Sequence, residues 1–316
     1  MADGISNGGE DIPKSYAALK FIEEAQHDEK PWFLTVSYNQ PHDIYAVKRS
    51  MRQDRFNFDL ENIELPKNFI DDLSTKPVVQ ALFRDEDQGE ALKDFTEEDW
   101  KYYIAYYNYL VEFLDQQIGK LIDKLKETNQ FKNTIFVFTS DHGDMMASHG
   151  TPYKGPMMYD ELIKIPLIIS WPGVIPANQE RNQLSTNVDH FPTICDLLDL
   201  EIPEEIDGKS LKIAIFENES IDRDFVVVEY YSKQKWINPI RTLVNDKYKY
   251  NLYLSGEEEL YDLQEDSSEI KNLAGKEDYE KTKAKLKENL INWIKKNADP
   301  FFTYDFTDRD GNLFEG

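Results

Sequence analysis

The stretch "NTIFVFTSDHGDMMASHGTPYKG", residues 133–155, decides how the rest of the chain is read. Its first third is a near-continuous apolar and β-branched run, the texture of a strand in a parallel sheet covered on both faces. The run is followed by Asp141 and His142, then by Gly143, which lets the backbone turn sharply. In open α/β sheets, ligands gather in the crevice beyond the carboxyl ends of the strands. Asp141 and His142 are therefore expected to project into such a crevice. A carboxylate oxygen and an imidazole nitrogen suit a divalent cation, although two ligands complete no coordination shell. A capping or turn role is the plain alternative.

His149 and Lys154 follow within about a dozen residues. A second apolar run, "PWFLTVSYN" (31–39), continues into "QPHDIY" and so presents His42 at its end. Two strand ends that each carry a His, with a Lys nearby, suit an anion bound beside a metal. Lysine supplies a point charge for a tetrahedral oxyanion, and histidine donates a hydrogen bond or protonates a leaving oxygen. Each residue alone also has a simpler reading: His42 as a turn cap, Lys154 as a solvated charge, His149 as a loop residue. His27 and His190, in helical settings, read as structural.

Working outward, "SYAALKFIEEAQ" has helical apolar spacing behind a Ser. Residues 96–129 form a long helical pattern that opens with Thr96, Glu97 and Glu98, acidic groups that favour the positive end of a helix dipole. The tyrosines Tyr102, Tyr103, Tyr106, Tyr107 and Tyr109 along it read as core packing. "IPLIISWPG" (165–173) reads as another strand and "STNVDHFPTICDLLDL" as a helix with Pro192 in its first turn. This alternation implies an α/β sheet with crossover helices. Residues 46–95 read as a surface excursion. Beyond about residue 215, "DFVVVEYY", "IRTLVN", "KYKYNLYL" and "EELYDL" predict an antiparallel meander, followed by an amphipathic helix. The expected layout is an α/β domain over 1–215 and an antiparallel-sheet subdomain with a terminal helix over 216–316.

The composition sets limits. With 316 residues, 40% hydrophobic and 13% aromatic, the chain has the content of a globular protein. Sixty acidic against 36 basic residues give a formal charge of -24. Such a field repels polyanions, which argues against nucleic-acid binding and against adhesion to anionic membranes. The single Cys195 excludes an intrachain disulfide and reads as a buried structural thiol. No basic, apolar leader and no long apolar span is visible, so the expected location is cytoplasmic.

Several further segments, in order, carry a resemblance: "PWFLTVSYNQPHDIY", "YYNYLVEFLDQQIGKLIDKL", "NTIFVFTSDHGDMMASHG", "YKGPMMYDELIKIPLIISWPG", "VDHFPTICDLL", "DGKSL", "KYKYNLY", "EELYDLQEDSSEIKNLA" and "WIKKNADP". Together they resemble the C-terminal two-thirds of a sulfatase of the arylsulfatase and choline-sulfatase kind, in the alkaline phosphatase superfamily. The resemblance implies a mixed or parallel α/β sheet flanked by helices, with a small C-terminal antiparallel sheet plus helix. It implies a calcium (or magnesium) ion on Asp141 and His142, sulfate contacts from Lys154 and His42, and His149 near the substrate mouth.

The family's nucleophile, a formylglycine made from the Cys of a C-x-P-S-R or C-x-A-S-R segment, has no counterpart here. Cys195 is followed by "DLLDL", and the one Asp-Asp pair, 71–72, lies in a polar, Pro-bounded segment. The expectation is therefore a sulfuric ester hydrolase homologue that is inactive by itself: a fragment, a subunit completed by an N-terminal sulfatase piece or by self-association, or a decayed homologue. The expected substrate is a small-molecule or carbohydrate sulfate ester. The alternatives are a phosphodiesterase or phosphonate hydrolase of the same superfamily, or a non-catalytic interaction protein.

Overall fold

A computed structural model describes residues 9–47 and 56–313. Residues 48–55 of the expected surface excursion, and the polar start 1–8, lie outside the described residues. The chain divides into two compact units. The first takes Met1–Leu65, Ala91–Thr139 and Leu167–Ala177, and the second takes Pro66–Glu90, Ser140–Pro166 and Asn178–Gly316. The boundary expected at residue 215 thus falls inside the second unit.

In the first unit, helix α1 (Asp11–Ala25) lies against the long helix that runs over Glu97–Glu127, α3 in chain order. The long helix starts where its sequence demands. The Thr96 hydroxyl accepts the Asp99 N–H at 3.2 Å, and the Asp99 carboxylate accepts the Thr96 N–H at 2.9 Å, which satisfies two otherwise orphaned donors. Ala18 and Ile22 pack on Leu121 and Leu125.

Residues 31–39 are laid over this core. Trp32, Leu34, Val36 and Tyr38 face it, while the alternate residues are exposed, Phe33 at 78%. The period-two pattern read from the sequence is present, but no ladder among the described residues includes the segment. Helices bury one row of its side chains and offer its backbone no hydrogen-bonding edge.

Strands β1 (Phe136–Thr139) and β2 (Leu167–Ser170) pair antiparallel, with Phe136 opposite Ser170 and Thr139 opposite Leu167. The parallel pairing expected from their apolar texture is not among the described ladders. The connection between them holds only the short helical turns Ser148–Gly150 and Asp160–Ile163, too short for the crossover helix that usually joins parallel strands.

The second unit is built on one antiparallel sheet in the order β3 (Val226–Lys233), β4 (Trp236–Val244), β5 (Tyr248–Tyr253), β6 (Glu258–Asp262). This is the predicted meander. Its ladder shifts register opposite Tyr231, where Asn238 and Pro239 form a bulge on β4; proline, lacking an N–H, is at home there. One face of the sheet, through Leu243, Tyr250 and Leu260, packs on Leu286, Leu290 and Ile294 of the terminal helix Glu280–Lys296. The other face, through Ile240, Tyr253 and Tyr261, packs on Met157, Tyr159 and Leu162 of the 140–166 loop, and on helix α2 (Val78–Glu86) through Val79 and Phe83. That second packing is the reason the loop belongs with the C-terminal sheet. No described helix is long and apolar enough to cross a membrane.

Candidate active site

The 140–166 loop begins directly after β1. The Asp141 carboxylate accepts the His142 N–H at 2.9 Å, which turns the chain, and leaves its side chain 84% exposed. Desolvation works against ionising Asp141, but the His142 backbone N–H and the Lys154 ammonium help hold the carboxyl below its ordinary range.

Gly143 follows for a reason other than the sharp turn read from the sequence. A Cβ there would stand 1.9 Å from the Glu161 carbonyl oxygen, so only glycine lets the loop close through Gly143 N–H to Leu162 O at 2.8 Å.

The loop then doubles back. Met145 N–H donates to Tyr153 O at 2.8 Å and Ala147 N–H to Thr151 O at 3.1 Å. Four non-glycine residues, Met146, Ala147, His149 and Tyr153, sit at positive φ, and such strain persists only where the surroundings over-determine it. The hairpin-like path returns Lys154 to the start of the loop, where its ammonium donates to His142 Nε2 at 2.6 Å. His142 Nδ1 lies 2.8 Å from the Gly143 carbonyl, so Nδ1 carries the proton and donates it there. The hydrogen-bond network therefore assigns a neutral ring whose Nε2 lone pair faces a cation.

The donor set fits a divalent ion in part. A histidine that gives its other N–H to a backbone carbonyl is oriented as metal-ligating histidines are, and the open Asp141 carboxylate lies beside it at 3.4 Å. Among the described residues no group of three or more His, Cys, Asp or Glu is placed to hold a metal. The pair thus offers two of the roughly six to eight ligands calcium takes. Asp144, two residues on, accepts the Met146 N–H at 3.0 Å, and burial pushes its carboxyl up.

The structure brings Asp141, His142 and Lys154 together. His149 is placed differently: its ring is fully buried, stacked on Tyr159 at 3.8 Å, with Nδ1 2.7 Å from the Asp71 carboxylate and Nε2 without a partner among the described residues. Burial opposes ionisation of Asp71, but the His149 bond, the Leu73 N–H and Lys76 together hold it below its ordinary range. His42 stands in the first unit, exposed, at the head of the turn His42–Ala46 and stacked on Tyr45 at 4.7 Å. The buried Asp11 carboxylate pins the approach to it by accepting the N–H groups of Asn39 and Gln40 at 2.7 and 2.9 Å.

Sequence reasoning missed three of these residues. Asp71 is 78 positions from its partner His149, and Asp11 reads as an ordinary helix start. Lys233, whose ammonium donates to the Lys154 carbonyl at 2.6 Å, is one lysine in a strand like any other.

The sulfatase family model matches residues 14–200, and the model of the N-sulphoglucosamine sulphohydrolase C-terminal region matches 148–296. An uncharacterized sulfatase of Escherichia coli is 31% identical over 93% of this chain and 57% of its own length. A Delta 4,5-hexuronate-2-O-sulfatase of Bacteroides thetaiotaomicron is 33% identical over 75% of this chain and 51% of its own. The chain thus spans about half the length of these relatives. A solved 2-O GAG sulfatase superposes with a TM-score of 0.83 at 29% identity, covering 94% of this chain and 65% of that one. On the matched residues and the shared fold, this chain belongs to the sulfatase family.

Proposed function

We propose that the chain carries the metal-binding and anion-binding part of a site that hydrolyses a sulfate ester. One observation supports this above the others. The Lys154 ammonium is held on a neutral imidazole beside an open carboxylate, with no carboxylate at ion-pairing distance among the described residues. A cation so placed is short of an anion. Sulfatase membership implies a divalent metal; in this reading it is calcium (or magnesium), held by Asp141 and His142. When bound, the ion would draw charge from the sulfuryl oxygens. Lys154 would then leave His142 Nε2 and hold a sulfate oxygen as a point charge. His149, with its ring buried on Asp71, is given the role of anchoring the loop.

The two relatives named for 2-O-sulfated sugars favour a carbohydrate sulfate ester as substrate. The nucleophile of this chemistry has no counterpart in the sequence, since Cys195 is buried and lacks the formylglycine motif. The chain alone is therefore expected to bind sulfate without turning over an aryl sulfate. Titration of the full chain with inorganic sulfate tests this. Binding that disappears in Lys154→Ala supports the reading, and binding indifferent to that substitution, or brisk aryl sulfate hydrolysis by the chain alone, contradicts it.

A further inference from the structure

Lys233 is the last residue of β3, at the tip of the hairpin that turns through Gln234 (φ +55°) and pairs it with Trp236. Its ammonium lies over the Phe83 ring, 4.5 Å from the centroid, and donates to the carbonyl oxygen of Lys154 at 2.6 Å. Phe83 is itself fully buried and lies against the next residue: a Cβ on Gly155 would come within 2.8 Å of its ring. The peptide that joins Lys154 to Gly155 thus meets both an aromatic ring and a second ammonium.

The chemistry of this arrangement is unusual for a structural contact. A carbonyl needs only a neutral donor, which asparagine, glutamine or serine supplies without a buried charge. Here the donor is a cation placed next to another cation, and among the described residues neither has a carboxylate at ion-pairing distance. Burial pushes the Lys233 amine down to about 8, and Lys154 adds to the depression. Asp87, at the end of α2, and Asp144, in the loop, act in the opposite sense without offsetting it. Asp87 also acts on Tyr230 of β3. Two ammonium groups held on neutral acceptors leave room for one counter-charge.

We infer that Lys233 is a positioning residue of the anion site: it fixes the Lys154 peptide and shares in neutralising an oxyanion bound by Lys154. The inference rests on the sulfate reading of that site. It predicts that oxyanion affinity declines as pH rises past about 8, where Lys233 loses its proton.

The test uses the full chain with inorganic sulfate, titrated from pH 6 to 10, in wild type, Lys233→Met and Lys233→Arg, with His142 15N shifts as a second readout. Lys233→Met is expected to weaken sulfate about tenfold at neutral pH, the scale of one charge-assisted contact, and to remove the decline near pH 8. Lys233→Arg keeps both the donor and a charge that does not titrate, so it should bind at neutral pH and hold its affinity above pH 8. Unchanged affinity and an unchanged pH profile in Lys233→Met would overturn the inference; if that variant fails to fold, a Lys233→Arg profile identical to wild type overturns it equally. If the wild type binds no sulfate, the sulfate reading fails on its own. The His142 Nε2 resonance then decides the positioning role: it must move in Lys233→Met as the Lys154 bond is lost, and a fixed resonance rejects the role.

Discussion

The second unit holds two pairs of buried or half-buried lysines with different partners, carboxylates in one pair and neutral acceptors in the other. Lys249, fully buried on β5, donates to Asp160 at 2.6 Å and lies 2.8 Å from Glu269. Lys76, also buried, lies 3.7 Å from Asp71 and donates to the Tyr261 hydroxyl and the Glu269 carbonyl. Burial works against the charge on Lys249, yet Glu269 and Asp160 overcome it and raise the amine above its ordinary value. Lys154 and Lys233, on the same face of the same sheet, have a neutral imidazole and a backbone carbonyl instead. In the proposed reading the carboxylate-paired lysines belong to the frame of the fold, and Lys154 and Lys233 take their counter-charge from a bound anion.

The comparison is most exposed to Lys249→Met. Removing the cation leaves Asp160 and Glu269 facing each other in the interior, with an expected loss of about 3–5 kcal/mol in urea denaturation. A loss no larger than that of a surface substitution would show that the frame is not built on matched charge.

Next in size is His149→Ala. It removes a ring that stacks on Tyr159 and strips the buried Asp71 of its donor, an expected cost of about 2–3 kcal/mol. If His149 were a surface loop residue, the same substitution would be close to neutral.

A comparable effect is expected from pH. Burial pushes Glu269 up from 4.5 to about 7. Between those values Glu269 keeps a proton in the folded protein that the unfolded chain has released, so the stability it contributes is fully present below about 4.5 and is lost as pH rises towards about 7. The loss should amount to about 3 kcal/mol, read as the difference between wild type and Glu269→Gln; a difference that stays constant over this window would contradict the assignment.

The smallest effect on folding is expected for Lys154→Ala, within about 0.5 kcal/mol, since its ammonium holds no charge partner. The sharpened comparison is a protein of unchanged stability that has lost its anion.

What the sequence made legible follows from what is local. The long helix after Thr96, the terminal helix and the four-stranded meander each carry their own periodicity, the long helix its cap as well, and the structure contains them. Asp141, His142 and Lys154 were legible as candidates because one loop carries all three. Less was readable where partners are distant or backbone decides. An apolar run does not say whether its neighbour runs parallel or antiparallel, and β1 and β2 run antiparallel because their connection lacks a crossover helix. The alternation of 31–39 shows one buried row of side chains and says nothing of whether its backbone finds a ladder. His149 reads as a loop residue until Asp71 comes to it from 78 positions away. The boundary drawn at residue 215 missed that Tyr159 and Met157 pack against Ile240 and Tyr253 across a long sequence gap.

His142, neutral and turned outward beside Asp141, is proposed as a metal ligand now engaged by Lys154. A calcium titration followed by the 15N resonances of His142 checks this. Two protein ligands should hold calcium weakly, with a Kd of about 10⁻⁴–10⁻³ M or above. The Nε2 resonance should move on binding while the Nδ1 proton stays on the Gly143 carbonyl, and both responses should vanish in Asp141→Ala. Calcium binding that leaves Nε2 unmoved, or that survives Asp141→Ala intact, would contradict the account.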